Sequence, residues 1–174
     1  MRIIVEGPDG AGKTHLVNYL SDGLNLPIIR NQKGPDQNLE WWWPETLAMR
    51  TDPPPIHDRF FYSELVYGPI IRGHLTVPQD LVGAIQAGLR QEALLIYARP
   101  DREALELGLR VADQMKGVQE KFTELVDAYD RLMGQESLYY GRRFYQFNWL
   151  SVQEPRQVVE HVQRYLRGGL EWNL

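Results

Sequence analysis

A complete phosphate-binding loop lies near the start of the chain. Residues 7–14 read Gly-Pro-Asp-Gly-Ala-Gly-Lys-Thr and satisfy the pattern G-x-x-x-x-G-K-[ST]. Glycines in such a loop allow backbone N–H groups to turn inward around phosphate oxygens. Lys13 would reach the β- and γ-phosphates, and the Thr14 hydroxyl would coordinate Mg²⁺. We therefore expect the nucleotide to be bound by Gly7, Asp9, Gly10, Ala11, Gly12, Lys13 and Thr14.

The segments on either side of this loop fit the same interpretation. The apolar run Ile3-Ile4-Val5 precedes the loop, and a helical pattern over residues 13–22 follows it. A phosphate-binding loop requires this strand–loop–helix context, whereas a chance match to the pattern does not. The sequence therefore predicts a protein that binds a nucleoside triphosphate.

A second group of polar residues, Asp58 and Arg59, follows a short apolar segment and opens a helical pattern. Asp58 suits two tasks, which are to hold Mg²⁺ through water or to orient and deprotonate an acceptor hydroxyl. The planar guanidinium of Arg59 matches a second phosphate group. The alternative is an aspartate that only caps the following helix, beside a surface arginine.

The elements that would position these residues alternate along the chain. Strand patterns occupy residues 2–6, a short segment ending at Asp58, residues 93–98 and 143–147, and a weaker segment at 27–30. Helical patterns occupy residues 13–22, 37–49, 60–72, 78–90, 101–109, 114–133 and 154–167. This alternation predicts a doubly wound α/β fold with a parallel sheet, in which ligands bind beyond the carboxyl ends of the strands. Three prolines at 53–55 limit the strand that ends at Asp58, because proline cannot donate to a central ladder.

Composition narrows the class of protein. The 174 residues suit one domain over 1–174, and the net charge of −4 disfavours a surface built mainly for nucleic-acid backbones. The absence of cysteine excludes disulfides, Cys-ligated zinc and thiol nucleophiles. No apolar stretch approaches the roughly 20 residues that span a bilayer, and the N-terminus does not resemble a signal peptide. We therefore expect a cytoplasmic enzyme.

Beyond the loop itself, several motifs resemble those of thymidylate kinases. Residues 6–14 resemble the opening of that family, which carries an acidic residue inside the loop, and Asp58-Arg59-x-x-x-Ser63 resembles its second signature. Residues 94–105 are similar to the strand and helix that lead into the family's lid. The compact length and residues 63–69 most resemble the small bacteriophage members. The resemblance implies a three-layer P-loop kinase fold with about five parallel strands, helices on both faces and a lid at about 99–118.

The resemblance also implies roles for individual residues. In the family, the residue matching Asp9 contacts the acceptor sugar, the residue matching Arg59 holds the acceptor phosphate, and the residue matching Asp58 lies at the metal and the reacting phosphates. Asn148, just after the final strand, lies where a donor adenine would rest. The family's usual acceptor-base segment is not recognisable, and three tryptophans at 41–43 stand in its place.

Positive charge gathers where a lid would lie. Arg99, Arg102, Arg110 and Lys116 occupy this region, and Gly117 could give a mobile segment. Phosphoryl transfer needs such charge at the transferring group, so Arg110 and Lys116 are the best candidates for a basic finger over the γ-phosphate. Solvated helix faces are the alternative for each charge taken singly.

Aromatic residues offer a wall for a nucleobase. Three consecutive tryptophans cannot all face one side of a helix, so at least one of them should be exposed or line a cleft. Stacking of a base on an indole is worth about 1–3 kcal/mol, although packing beneath the acceptor-side helices is the alternative. The acceptor is expected to contact Asp9, Arg59, Trp43, Tyr62 and Ser63.

These observations favour a nucleotide kinase that transfers the γ-phosphate of ATP, with Mg²⁺, to a deoxynucleoside monophosphate. A deoxynucleoside or a hydroxyl on a modified base in DNA is an alternative acceptor. A non-catalytic nucleotide-binding module is a third possibility, which the combination of Lys13, Thr14, Asp58 and Arg59 disfavours. Related kinases are often dimers, so a homodimer stays open.

Overall fold

The structure, a computed structural model, describes residues 1–30, 52–111, 117–151 and 154–168. These residues form a five-stranded, fully parallel sheet in the order β2-β3-β1-β4-β5. The strands are β1 (Arg2–Glu6), β2 (Ile28–Arg30), β3 (Ile56–Asp58), β4 (Ala93–Ala98) and β5 (Phe144–Phe147). Because the central strand β1 lies between β3 and β4, residues that follow β1 and β3 meet at one edge of the sheet.

Helices connect β1 to β2, β3 to β4 and β4 to β5, as parallel pairing requires, and one more helix follows β5. They are α1 (Lys13–Leu24), α2 (Phe61–Tyr67), α3 (Gln79–Glu92), α4 (Arg102–Val111), α5 (Phe122–Tyr140) and α6 (Glu154–Leu166). A π-helical turn (Gly68–Arg72) continues α2, and a 3₁₀ turn (Gly141–Arg143) leads from α5 into β5.

Both faces of the sheet are covered. Every residue of β1 and of β4 is buried, as expected for a parallel sheet enclosed by helices, and the apolar run Ile3-Ile4-Val5 forms the centre of β1. Helix α1 packs against α6, and α2 packs against α5. The predicted α/β fold with a five-stranded parallel sheet is therefore confirmed. Within the described ranges, no helix has both the length and the apolar character needed to cross a membrane.

The short strand β3 accommodates its prolines in the way expected. It contains three residues and ends at Asp58. The carbonyl of Pro55 accepts a hydrogen bond from the N–H of Ile3 at 3.1 Å, so the proline contributes an acceptor where it has no donor.

Several element boundaries differ from prediction. Helix α5 begins at Phe122 instead of 114 and continues past Gly134 to Tyr140, because Met133, Glu136 and Tyr140 lie on its buried face. The predicted helix over 60–72 is instead α2 followed by the π-helical turn. The predicted helix over 37–49 lies outside the described residues.

Candidate functional site

The phosphate-binding loop joins β1 to α1, as predicted. Helix α1 begins at Lys13, directly after Gly12, whose φ of 72° is left-handed. A Cβ at Gly12 would also lie 2.4 Å from the indole Nε1 of Trp149. Both the backbone conformation and the close approach therefore require glycine at this position.

The side chain of Lys13 folds back onto the phosphate-binding loop. Its side chain is only 6% exposed, and its Nζ donates a hydrogen bond to the carbonyl of Pro8 at 2.5 Å. Burial lowers the pKa of Lys13 to about 8, and the nearby carboxylates of Glu6 and Asp58 oppose this effect. Lys13 is therefore mostly protonated at neutral pH, and a bound phosphate would stabilise its charge further.

Thr14 and Asp58 come together across the loop although 44 residues separate them. The Thr14 hydroxyl donates to Oδ2 of Asp58 at 3.1 Å, and Asp58 is 7% exposed. A hydroxyl and a carboxylate beside a phosphate loop are the hard oxygen donors that Mg²⁺ prefers. No group of three or more His, Asp or Glu side chains within the described ranges could hold a metal, but Mg²⁺ usually takes one or two protein oxygens plus phosphates and water. The pair therefore fits Mg²⁺.

Arg59 occupies the turn between β3 and α2 in a left-handed conformation, with φ of 64°. Its N–H bonds to the carbonyl of Val5 at 3.0 Å, which extends the β1–β3 pairing by one residue. Its guanidinium pairs with the carboxylate of Asp9, donates to Ser63 Oγ at 3.4 Å and lies 5.3 Å from the ring centre of Tyr67. A non-glycine residue in this conformation needs support from its surroundings.

That support comes from Glu6, a residue that the sequence did not single out as functional. Glu6 is fully buried, and its Oε1 accepts the N–H groups of Phe60 at 2.8 Å and of Ser63 at 3.1 Å. Its Oε2 accepts the hydroxyl of Ser63 at 2.6 Å and that of Tyr129 at 3.4 Å. From the end of β1, Glu6 thus caps the first turn of α2 and fixes the turn that holds Arg59. Burial raises the pKa of Glu6, and its hydrogen bonds oppose that shift. The only sequence signal was an acidic residue at the end of a buried strand.

The residue that meets the loop after β5 is Trp149, not Asn148. The side-chain oxygen Oδ1 of Asn148 accepts a hydrogen bond from the backbone N–H of Leu150 at 3.0 Å, which stabilises a local turn. Trp149 packs between Phe147 and His15, and the centre of its ring lies 4.6 Å from the ring centre of each. The buried Nε1 of Trp149 has no hydrogen-bond partner among the described residues. Contact of Asn148 with a donor base stays a prediction.

The predicted lid cations differ in their surroundings. Arg99 forms a bidentate pair with Asp130 of α5, at 2.7 and 2.8 Å, and Arg102 pairs with Asp127 at 2.6 Å. These two arginines therefore tie the start of α4 to α5. Arg110 is exposed in the last turn of α4 and forms no ion pair with another described residue. Lys116 lies outside the described residues.

The structure does not bring Tyr62, an expected acceptor contact, to this site. Tyr62 is fully buried, and its hydroxyl bonds to Glu136 at 3.1 Å and to Tyr140 at 3.0 Å. This burial does not support contact of Tyr62 with an acceptor. Trp43, the other aromatic residue among the expected acceptor contacts, lies outside the described residues.

The topology and the loop define the P-loop kinase fold. No protein-family model matches the chain. By sequence the chain is similar to the SPbeta prophage-derived uncharacterized protein YorR of Bacillus subtilis strain 168, with 26% identity over 142 residues, covering 79% of this chain and 84% of YorR.

Solved structures share this fold. The crystal structure of YorR in complex with phosphorylated GDP is similar with a TM-score of 0.69 and 21% identity, covering 96% of each chain. A deoxyadenosine kinase from M. mycoides with bound dCTP has a TM-score of 0.57 and 17% identity, covering 97% of this chain and 100% of its own. A gluconokinase from Sinorhizobium meliloti 1021 has a TM-score of 0.53 and 12% identity, covering 96% and 94%.

Proposed function

We propose that this protein is a kinase that transfers the γ-phosphate of ATP to a deoxynucleoside monophosphate, as a thymidylate kinase does. The observation that carries the proposal is the contact of Thr14 with Asp58 at 3.1 Å, beside the buried ammonium of Lys13. A hydroxyl, a carboxylate and a lysine around one phosphate loop are the parts that phosphoryl transfer uses.

The acceptor side of the proposal depends on Arg59. Its guanidinium lies at the same edge of the sheet as the loop, and it contacts Asp9 and Ser63. Arginine binds phosphate in a planar, two-point manner, so Arg59 can hold the acceptor phosphate once Asp9 releases it. Asp9 would then be free to accept a hydrogen bond from the sugar.

A deoxynucleoside is the second candidate acceptor, and the pair of Asp9 and Arg59 favours it. In this structure the guanidinium of Arg59 is already neutralised by the Asp9 carboxylate. A monophosphate must break this ion pair, whereas an uncharged sugar hydroxyl can be bound beside it.

Ligands of similar proteins are consistent with a nucleotide. YorR was solved with phosphorylated GDP, and the deoxyadenosine kinase with dCTP. The present chain shares their fold at 21% and 17% identity, so these ligands indicate a class of compound for testing and no particular base.

In the proposed reaction, the chain acts mainly by positioning and by charge. Lys13 would bind the β- and γ-phosphate oxygens of ATP. Asp58 would bind Mg²⁺ together with Thr14, and with a deoxynucleoside as acceptor it could instead take the proton of the reacting hydroxyl. A monophosphate accepts through an oxygen of its own phosphate, which needs no such base. Arg110 would neutralise charge on the transferring group. Mg²⁺, when bound, neutralises the phosphate oxygens and orients the γ-phosphate.

The test is transfer of radiolabelled phosphate from ATP to a panel of acceptors: each deoxynucleoside monophosphate, each deoxynucleoside, and DNA with modified pyrimidines. We expect label on one monophosphate. Arg59→Ala should raise the KM of a monophosphate far more than that of a nucleoside, because only the former has a phosphate for the guanidinium to bind.

Label only on nucleosides would exclude the monophosphate and support the second candidate. Label only on DNA would exclude both. Absence of transfer to every acceptor, with a folded protein, would overturn the kinase proposal.

A further inference from the structure

The described part of helix α4 touches the phosphate-binding loop through two glycines. A Cβ at Gly108 would lie 2.4 Å from the carbonyl oxygen of Gly10 and 2.9 Å from its Cα. A Cβ at Gly10 would in turn lie 2.5 Å from the carbonyl oxygen of Leu105 and 2.9 Å from the N–H nitrogen of Leu109. Backbone therefore rests on backbone, and no flexible side chain lies between the loop and the helix to yield.

The helix has little freedom to move away from the loop. Leu105 and Leu109 are buried in the core, and Arg102 at the first turn pairs with Asp127 of α5 at 2.6 Å. Interiors at native density transmit a small displacement instead of absorbing it. A side chain at position 108 would therefore move the loop more readily than the helix.

A glycine within a helix also needs an explanation. Glycine in a helix interior is about 0.8–1.0 kcal/mol less favourable than alanine. Gly83, Gly88 and Gly134 lie in helices with open space around them, so packing does not require glycine there. At Gly108 the contact with Gly10 is a packing reason.

We propose that Gly108 is a positioning residue of the phosphate-binding loop, which it holds in the shape that receives the nucleotide phosphates. This inference rests on the proposed function, since it assigns to α4 a role in the donor site. The same contact fixes the position of the helix backbone that carries Arg110, two residues further along. Loop shape and lid-cation position are thus set by one contact.

The test compares Gly108→Ala with Gly88→Ala, a matched control in which a methyl is added to an exposed helical glycine that nothing contacts. Three measurements are made on the full-length protein: amide hydrogen exchange of residues 10–12 without ligand, the Kd of ATP·Mg²⁺, and the KM of the acceptor. Exchange reports the loop directly and requires no catalysis.

We expect Gly108→Ala to speed exchange at residues 10–12 by about tenfold and to raise the Kd of ATP·Mg²⁺ by about tenfold, while Gly88→Ala changes neither. The KM of the acceptor should stay within about twofold in both variants, since the contact involves the donor loop. A general loss of stability would raise the Kd of ATP·Mg²⁺ and the KM of the acceptor together, so it would not affect the donor loop alone.

The proposal would be overturned if Gly108→Ala and Gly88→Ala had the same exchange rates at residues 10–12, or the same Kd for ATP·Mg²⁺. Failure of Gly108→Ala to fold would overturn it too, because the inference requires the loop to yield while Leu105 and Leu109 stay packed. A wild-type protein that binds no ATP·Mg²⁺ would instead refute the proposed function, and the exchange comparison would still decide whether Gly108 sets the loop.

Discussion

Substitution of Glu6 tests how the turn between β3 and α2, which contains Arg59, is held in place. In Glu6→Ala, the N–H groups of Phe60 and Ser63 lose the buried acceptor that binds them at 2.8 and 3.1 Å. Each unsatisfied buried N–H costs about 1–3 kcal/mol, and a cavity adds to this, so we expect a loss of about 3–5 kcal/mol. For a chain of this length that loss lowers Tm by about 6–20 °C.

Glu6→Gln should cost much less. The amide oxygen can still accept both backbone N–H groups, and the amide nitrogen can donate to Ser63 Oγ, which leaves only the long bond from Tyr129 without an acceptor. Burial already raises the pKa of Glu6, so the neutral amide also avoids the cost of a buried charge. We expect a loss of about 1 kcal/mol, or about 2–4 °C in Tm.

The kinetic consequence separates positioning from stability. A left-handed residue costs about 1–3 kcal/mol and persists only when its surroundings enforce it, so Arg59 should relax in Glu6→Ala. Loss of its placement should raise the KM of the acceptor about tenfold, with the KM of ATP within about threefold.

The control for this experiment is Glu64→Gln. Glu64 is a second buried carboxylate on α2, and it bonds to Thr76 and Arg72 instead of to the turn before the helix. The Glu64→Gln substitution should lower Tm without changing the KM of the acceptor. Equal effects of Glu64→Gln and Glu6→Ala on that KM, or an unchanged Tm in Glu6→Ala, would refute the argument.

Three further predictions concern charged residues. Lys13→Ala should lower kcat by about 10²–10³-fold with Tm nearly unchanged, as measured by ATP turnover and thermal melting; normal turnover would exclude its phosphate role. Burial raises the pKa of Asp130, but the bonds from Arg99 outweigh this and lower it overall, so its stabilisation is complete above its ordinary pKa and is lost as pH falls below it. Asp130→Asn should therefore flatten the acid limb of the stability curve, measured by urea unfolding from pH 2 to 7. Glu136→Ala removes the buried acceptor of the Tyr62 hydroxyl and the bidentate partner of the partly exposed Arg90, and it should cost about 1–3 kcal/mol in urea unfolding; an unchanged free energy of unfolding would contradict this role of Glu136.

Local signals account for what could be predicted of the fold. The strand before the loop, the loop itself and the start of α1 follow from the continuous stretch of residues 2–22, and all three are confirmed. Boundaries were less predictable where a local signal competed with burial. Gly134 indicates a helix end by itself, yet α5 continues to Tyr140 because its apolar face still packs against the core.

The candidate site divides in the same way. Lys13, Thr14, Asp58 and Arg59 were identified from their types and spacing, and their proximity follows from the parallel pairing of β1 with β3. Their proposed roles remain predictions. Glu6 could not be recognised, because its partners Ser63 and Tyr129 lie 57 and 123 residues away along the chain.

By itself the sequence determined the phosphate loop and the alternation of strands and helices, since both depend on neighbouring residues and on hydrophobic period. Only the tertiary structure decided that Glu6 caps α2, that Trp149 covers Gly12 and that Gly108 rests on Gly10. These contacts join segments that are distant in sequence, and their distances depend on how helices pack on the sheet. No local pattern encodes that packing, because it is set by the fit of the whole core.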